Sequence, residues 1–139
     1  MTHTEKDLLL KDLCGRLPYR VKVQIKNEIV VLDSICDDDG YHFNFIGEDR
    51  EGVNIENIKP YLFPLSSMTE EQYYEMMSYS SEDCLDHMKI LKSLRECTDF
   101  THWPLYEYRV IDWYNKNHFD YRGLIPMGAA IDATGKNIY

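Results

Sequence analysis

Long apolar runs are missing from this chain. The only dense one, Leu8-Leu9-Leu10, is flanked by acids and falls far short of the roughly 20 residues that a spanning helix requires. The N-terminal stretch MTHTEKDLLLKDLCGRL therefore reads as neither a secretory signal nor a membrane anchor, and the expectation is a cytoplasmic protein with no membrane partner. Cysteine is scarce as well. Cys14, Cys36, Cys84 and Cys97 have separations that match no close-pair zinc pattern, so the expectation is reduced thiols, with no structural metal and no disulfide framework. Basic residues are outnumbered: 15 Lys and Arg face 24 Asp and Glu, for a formal charge of −9. The deficit is even, with 12 acids against 8 bases in residues 1–65 and 12 against 7 in residues 66–139. A nucleic-acid surface works by releasing counterions from phosphate, which needs a positive face, so this balance argues against ordinary DNA or RNA binding. Catalytic signatures are absent too: there is no GxSxG, P-loop, HExxH or dinucleotide fingerprint.

What the sequence does hold is 44% hydrophobic and 13% aromatic residues in 139 positions, enough for a folded domain that needs no staples. From Tyr19 to Leu65 the apolar residues alternate, and from Met68 onward they recur at helical spacing. That switch predicts an α+β protein with two parts. Residues 1–66 form an N-terminal helix with a five-stranded SH3-like small barrel or curled antiparallel sheet, and residues 67–139 form a helical subdomain packed on it.

In the first part, Thr4 with Asp7 suggests a helix start, Leu9 and Leu13 face the sheet, and Lys6, Lys11 and Asp12 face water. Gly15 and Pro18 mark its end. Val21, Val23 and Ile25 alternate with Arg20, Lys22, Gln24 and Lys26, the pattern of a half-buried strand with a basic stripe on its outer face. Lys26-Asn27-Glu28 predicts a tight hairpin in which Asn27 takes the left-handed conformation, and Asp37-Asp38-Asp39-Gly40 predicts another. Tyr41, Phe43 and Phe45 give a third strand an aromatic face, with His42 and Asn44 opposite. A charged loop spans Gly47 to Gly52, Val53 to Ile55 makes a short fourth strand, and Ile58 to Leu62 a fifth, which Pro60 confines to an edge or a bend. The triple aspartate is a solvated turn and not a calcium loop, because a strand follows it at once where the calcium motif needs further oxygen ligands.

In the second part, Ser67 or Thr69 caps a helix carrying Tyr73, Met76 and Met77, and Ser80 or Ser81 starts another through Leu85, Met88 and Leu91. A third runs from about Leu105 to Asn117, with Val110, Trp113 and Tyr114 near one face. His118 finishes it, Asp120 caps a turn before Pro126, and Arg122 pairs with an acid. His118 and Asp120 are also the densest pair of reactive types, but acid–base chemistry needs a positioned pair in a pocket, which spacing alone does not supply. No catalytic residue and no cofactor is assigned. The surface candidates for binding are Tyr41 and His42 on the third strand, Trp113 and His118 in the C-terminal cluster, and Arg20 and Lys22 on the basic stripe.

The segments KDLCGRLPY, IENIKPYLFPLSSMTEEQ and WYNKNHFDYRGLIPMGAAIDATGKNIY resemble a family of small uncharacterised proteins from phages and integrated mobile elements of gut anaerobic bacteria. The likeness covers both ends and the centre and is less clear over residues 78–104. It implies a mobile-element setting and brings no catalytic residue. The functional expectation is a non-catalytic module that binds a host or phage protein through exposed aromatics and acids. The alternatives are a nucleic-acid-associated module using Arg20, Lys22 and Lys26, and an acidic DNA mimic that blocks a host protein.

Overall fold

The computed structural model describes residues 1–79 and 108–139. The expected helix from Ser80 or Ser81, together with Cys84, Cys97 and the start of the third helix at Leu105, lies outside the described residues.

Helix α1 (His3–Arg16) starts at Thr2, two residues before the expected cap. The reason is side-chain reach. Thr2 Oγ1 accepts the Glu5 amide at 3.2 Å and Glu5 returns a carboxylate to the Thr2 amide at 2.6 Å, closing a reciprocal pair that needs glutamate rather than the shorter Asp7. Leu9 and Leu13 are buried against the sheet as their spacing implies. Asp12, expected in water, is also fully buried, because Arg16 lies one turn on and meets it ion to ion.

Three antiparallel strands follow: β1 (Lys22–Ile25), β2 (Glu28–Asp37) and β3 (Tyr41–Phe45). The β1–β2 turn is Lys26-Asn27, but the positive φ falls on Lys26 (56°), not on Asn27. The β2–β3 turn carries its positive φ values on Asp39 (53°) and Gly40 (113°), where the Asp-Gly pair placed them. The register slips between Leu32 and Ser34, a bulge that bends β2.

The expected strand at Val53–Ile55 does not form. Asn54 instead accepts the Glu56 amide and starts a 3₁₀ turn over Ile55–Asn57, a local bond that competes with sheet pairing. Strand β4 (Ile58–Pro64) then pairs antiparallel with β1. Beyond the end of β1 the same edge of β4 takes a short parallel strand from the C-terminal segment, β5 (Phe119–Asp120), and the opposite edge takes a second, β6 (Ile131–Asp132). Pro60 thus stands in an interior strand, yet the parallel ladders begin only at Tyr61, so at Pro60 that edge is locally free. The strand order is β3-β2-β1-β4-β5 with β6 beside β4, and the sheet is curled and mixed, not closed into a barrel.

Helix α2 (Glu70–Met77) is capped by Thr69, which exchanges bonds with Gln72. Helix α3 (Tyr108–Lys116) packs against α1 and α2. Buried apolar residues fall into two groups. One joins Leu9 and Leu13 to Val23, Leu32, Phe43 and Leu62. The other gathers Met68, Tyr73, Met76, Trp113, Tyr114 and Phe119. No helix among the described residues is long and apolar enough to cross a membrane.

Candidate functional site

Strand alternation sends Phe43 and Phe45 into the first core and leaves His42 and Asn44 on the opposite, exposed face. Tyr41 shares the inner face but sits past the end of the core, where it is 52% exposed. Beside it runs an open groove of about 760 Å³, walled on one side by Tyr41 to Asn44 and on the other by Asp49 to Ile55. The second wall holds its course through a glycine with positive φ, Gly52 (67°), and through Arg50, whose guanidinium bonds both Glu48 and Glu28. Those two carboxylates hold Arg50 as a cation and spend its charge away from the groove, and Arg50 in turn pulls the Glu28 carboxyl below its usual range. A second groove of about 650 Å³ lies on the far side of the same wall, against Gln24, Ile25 and Lys59.

Among the described residues β3 is the terminal strand of the sheet: it pairs with β2, and its last residue, Phe45, also makes an isolated bridge to Glu48. Among the described residues, no backbone hydrogen bond reaches its other edge over Tyr41 to Asn44. His42 turns Nε2 onto the Asp38 carbonyl at 2.8 Å, and Asn44 donates to Ser34 Oγ at 3.1 Å across the β2–β3 pair. These side-chain bonds rigidify the strand without filling its free edge. The groove is therefore a slot beside unpaired backbone, with an aromatic ring at its mouth.

The C-terminal cluster is built differently. His118 closes α3 in the left-handed conformation (φ 61°), and its ring lies flat under Tyr139, with centroids 3.7 Å apart. Burial, together with the nearby cations Arg16 and Lys22, lowers the His118 pKa to about 4, so the ring is neutral at pH 7. Asp120 uses both carboxylate oxygens on backbone amides, those of Leu124 and Ile125, each at 2.8 Å. Burial raises its pKa, with those two amides opposing the shift. Trp113 is only 4% exposed and stacks on Phe119, with centroids 5.5 Å apart, so it fills the second core and is not offered at the surface.

The basic stripe is divided. Only Lys22 and Gln24 of the four outer residues lie within β1; Arg20 precedes it with φ 54° and Lys26 is in the turn. Lys22 gives its ammonium to the Ile138 carbonyl at 2.5 Å and its amide to the Tyr139 hydroxyl at 3.0 Å, so it fastens the C-terminal segment. Arg20 is exposed.

Two residues that the spacing did not single out, Asp12 and Arg16, and one expected to pair with an acid, Arg122, organise the space between the helices. Arg16 bonds Asp12 through Nε (2.7 Å) and Nη2 (3.0 Å), and Nη2 also reaches the Phe119 carbonyl at 2.6 Å. Arg122 approaches the same aspartate at 3.4 Å and lies over the Tyr121 ring, 4.9 Å from its centroid. The available signal was the i,i+4 spacing of Asp12 and Arg16, but an exposed helix face carries the same spacing. Of the six candidates, Tyr41 and His42 share the groove, His118 and Lys22 share the Tyr139 contact, and Trp113 and Arg20 join neither. Among the described residues no three His, Cys, Asp or Glu side chains gather to hold a metal. No protein-family model matches the chain, and comparison with curated proteins and with solved structures found no similar protein.

Proposed function

We propose that this protein is a non-catalytic protein-interaction module, working in the phage or mobile-element setting that its sequence motifs suggest, and that the groove beside β3 is where it takes its partner. The observation that carries the reading is the conjunction of an exposed Tyr41 with an open groove along a strand edge that, among the described residues, no other strand pairs over Tyr41 to Asn44. The reactive-looking pair supports it from the other side. His118 stacks on Tyr139 and Asp120 has both oxygens on the amides of Leu124 and Ile125, so the two are not hydrogen-bonded to each other as an acid–base pair. The commitment of Lys22 to the C-terminal segment weakens the nucleic-acid alternative, since a phosphate-binding stripe needs free cations.

The test is capture from host lysate with the tagged protein, at low and high salt, with and without nuclease, comparing wild type with Tyr41→Ala. A protein that survives nuclease and is lost with Tyr41→Ala supports the reading. Nucleic acid, or proteins that vanish on nuclease treatment, overturns it.

A further inference from the structure

Resting on the protein-interaction reading, we propose that the β3 edge binds an extended, lysine- or arginine-rich segment of its partner as an added strand. Edge strands present alternate N–H and C=O groups to whatever lies beside them, and proteins that do not use such an edge commonly blunt it with lysine, proline or an inward charge on the strand itself. β3 reads Tyr-His-Phe-Asn-Phe and carries none of these. Its edge is nonetheless kept apart from the next stretch of chain by a groove of about 760 Å³, whose far wall is the 49–55 segment. Main-chain bonds to such an edge provide affinity, while the side chains around it select the sequence.

That selection is electrostatic. Asp49 and Glu51 stand on the far wall, and Asp37, Asp38 and Asp39 lie at the turn where Tyr41 begins the strand. The one cation on the wall, Arg50, is already neutralised by Glu28 and Glu48. An added strand thus meets Asp49 and Glu51 along one side of its path and the turn aspartates with the exposed Tyr41 ring at one end, a setting that favours cationic side chains through charge and through cation–π contact. The chain's net charge of −9 steers the same class of partner toward it. A second copy of this chain brings like charge to the groove, which disfavours self-pairing.

The probe is a capped nine-residue peptide in which lysine alternates with threonine and valine, followed by fluorescence anisotropy and by amide exchange at Tyr41 to Asn44. Two N-methylated versions block one or the other alternate set of peptide amides, and a third version replaces lysine with glutamate. The expected result is binding of the lysine peptide with slowed exchange on β3. One N-methyl pattern weakens it by at least ~10-fold, the other leaves it unchanged, and the glutamate peptide does not bind. The double variant Asp49→Asn/Glu51→Gln weakens binding without altering the fold. Equal tolerance of both N-methyl patterns, or binding without β3 protection, overturns strand addition. Failure of the peptide to bind while a nuclease-resistant partner is still captured through Tyr41 also overturns it and leaves the interaction-module reading standing; loss of both removes both. A dimer in light scattering that disappears with Asn44→Pro assigns the edge to a second copy and likewise overturns the proposal.

Discussion

Asp12 and Arg16 enter the interior as ions, and their energetics are those of a buried pair, in which removing one partner is far worse than never having had either. Arg16→Leu removes both hydrogen bonds that Arg16 gives the buried Asp12 carboxylate, leaving it only Arg122 at 3.4 Å, and it takes from the Phe119 carbonyl one of its two donors; it is expected to destabilise the protein by about 3–5 kcal/mol in urea unfolding. Asp12→Leu combined with Arg16→Leu is expected to cost less than the two single changes added together, the mark of direct coupling. His118 makes a pH prediction with a definite sign. Its folded pKa of about 4 lies below the ordinary 6.5, so between those values the unfolded chain holds more protons and stability falls as pH drops from 6.5 toward 4. His118→Asn, which tolerates the left-handed backbone, is expected to flatten that slope in unfolding curves taken across the window. Asp120 works in the opposite direction, since its raised pKa favours the folded state as pH falls through its titration, so Asp120 must stay intact in the comparison.

At the level of elements, caps and close approaches decide the outcome. Thr69→Ala removes the acceptor for the Gln72 amide at the start of α2 and is expected to cost about 1 kcal/mol of unfolding free energy. Gly15→Ala tests a closer balance. Alanine favours a helix interior by roughly 0.8–1 kcal/mol over glycine, but a methyl group at Gly15 would stand 3.1 Å from Asn115 Nδ2. Asn115 is itself held by the Tyr121 hydroxyl at 3.0 Å, so it cannot give way, and a net loss of stability is expected in thermal melts. Those same elements show how far the sequence was legible. Alternation over Val21, Val23 and Ile25 and the Asp-Gly turn before Tyr41 are local signals, and they placed three strands and two hairpins correctly. Asp120 and His118 took the capping roles their spacing implied. The parallel strands β5 and β6 were illegible, because two-residue pairings at Phe119 and Ile131 leave no periodicity to read. The groove was half legible. Tyr41 and His42 could be named from alternation, but the wall at Asp49 to Ile55 depends on Asn54 diverting that segment out of the sheet.

Across the whole molecule, the two apolar groups are joined by a polar seam rather than by more hydrocarbon. Asp12 and Arg16 belong to α1, and Arg16 bonds the carbonyl at Phe119 in the second group. The prediction at this scale is that amide exchange at Val23 and at Tyr114 reports one shared opening free energy in the wild type, and that Arg16→Leu separates them. β4 carries a further meaning for how the chain is made. Its edge toward β1 pairs with that earlier strand as far as Pro60 and is completed by Phe119–Asp120, while its opposite edge closes only on Ile131–Asp132. At synthesis rates of ~5–20 residues per second, that edge waits on the order of several seconds on the ribosome with its amides open. A nascent chain in that interval is a substrate for holding chaperones and a target for mispairing with its neighbours on a polysome, so translational pausing between residues 64 and 119 should lower the yield of folded protein.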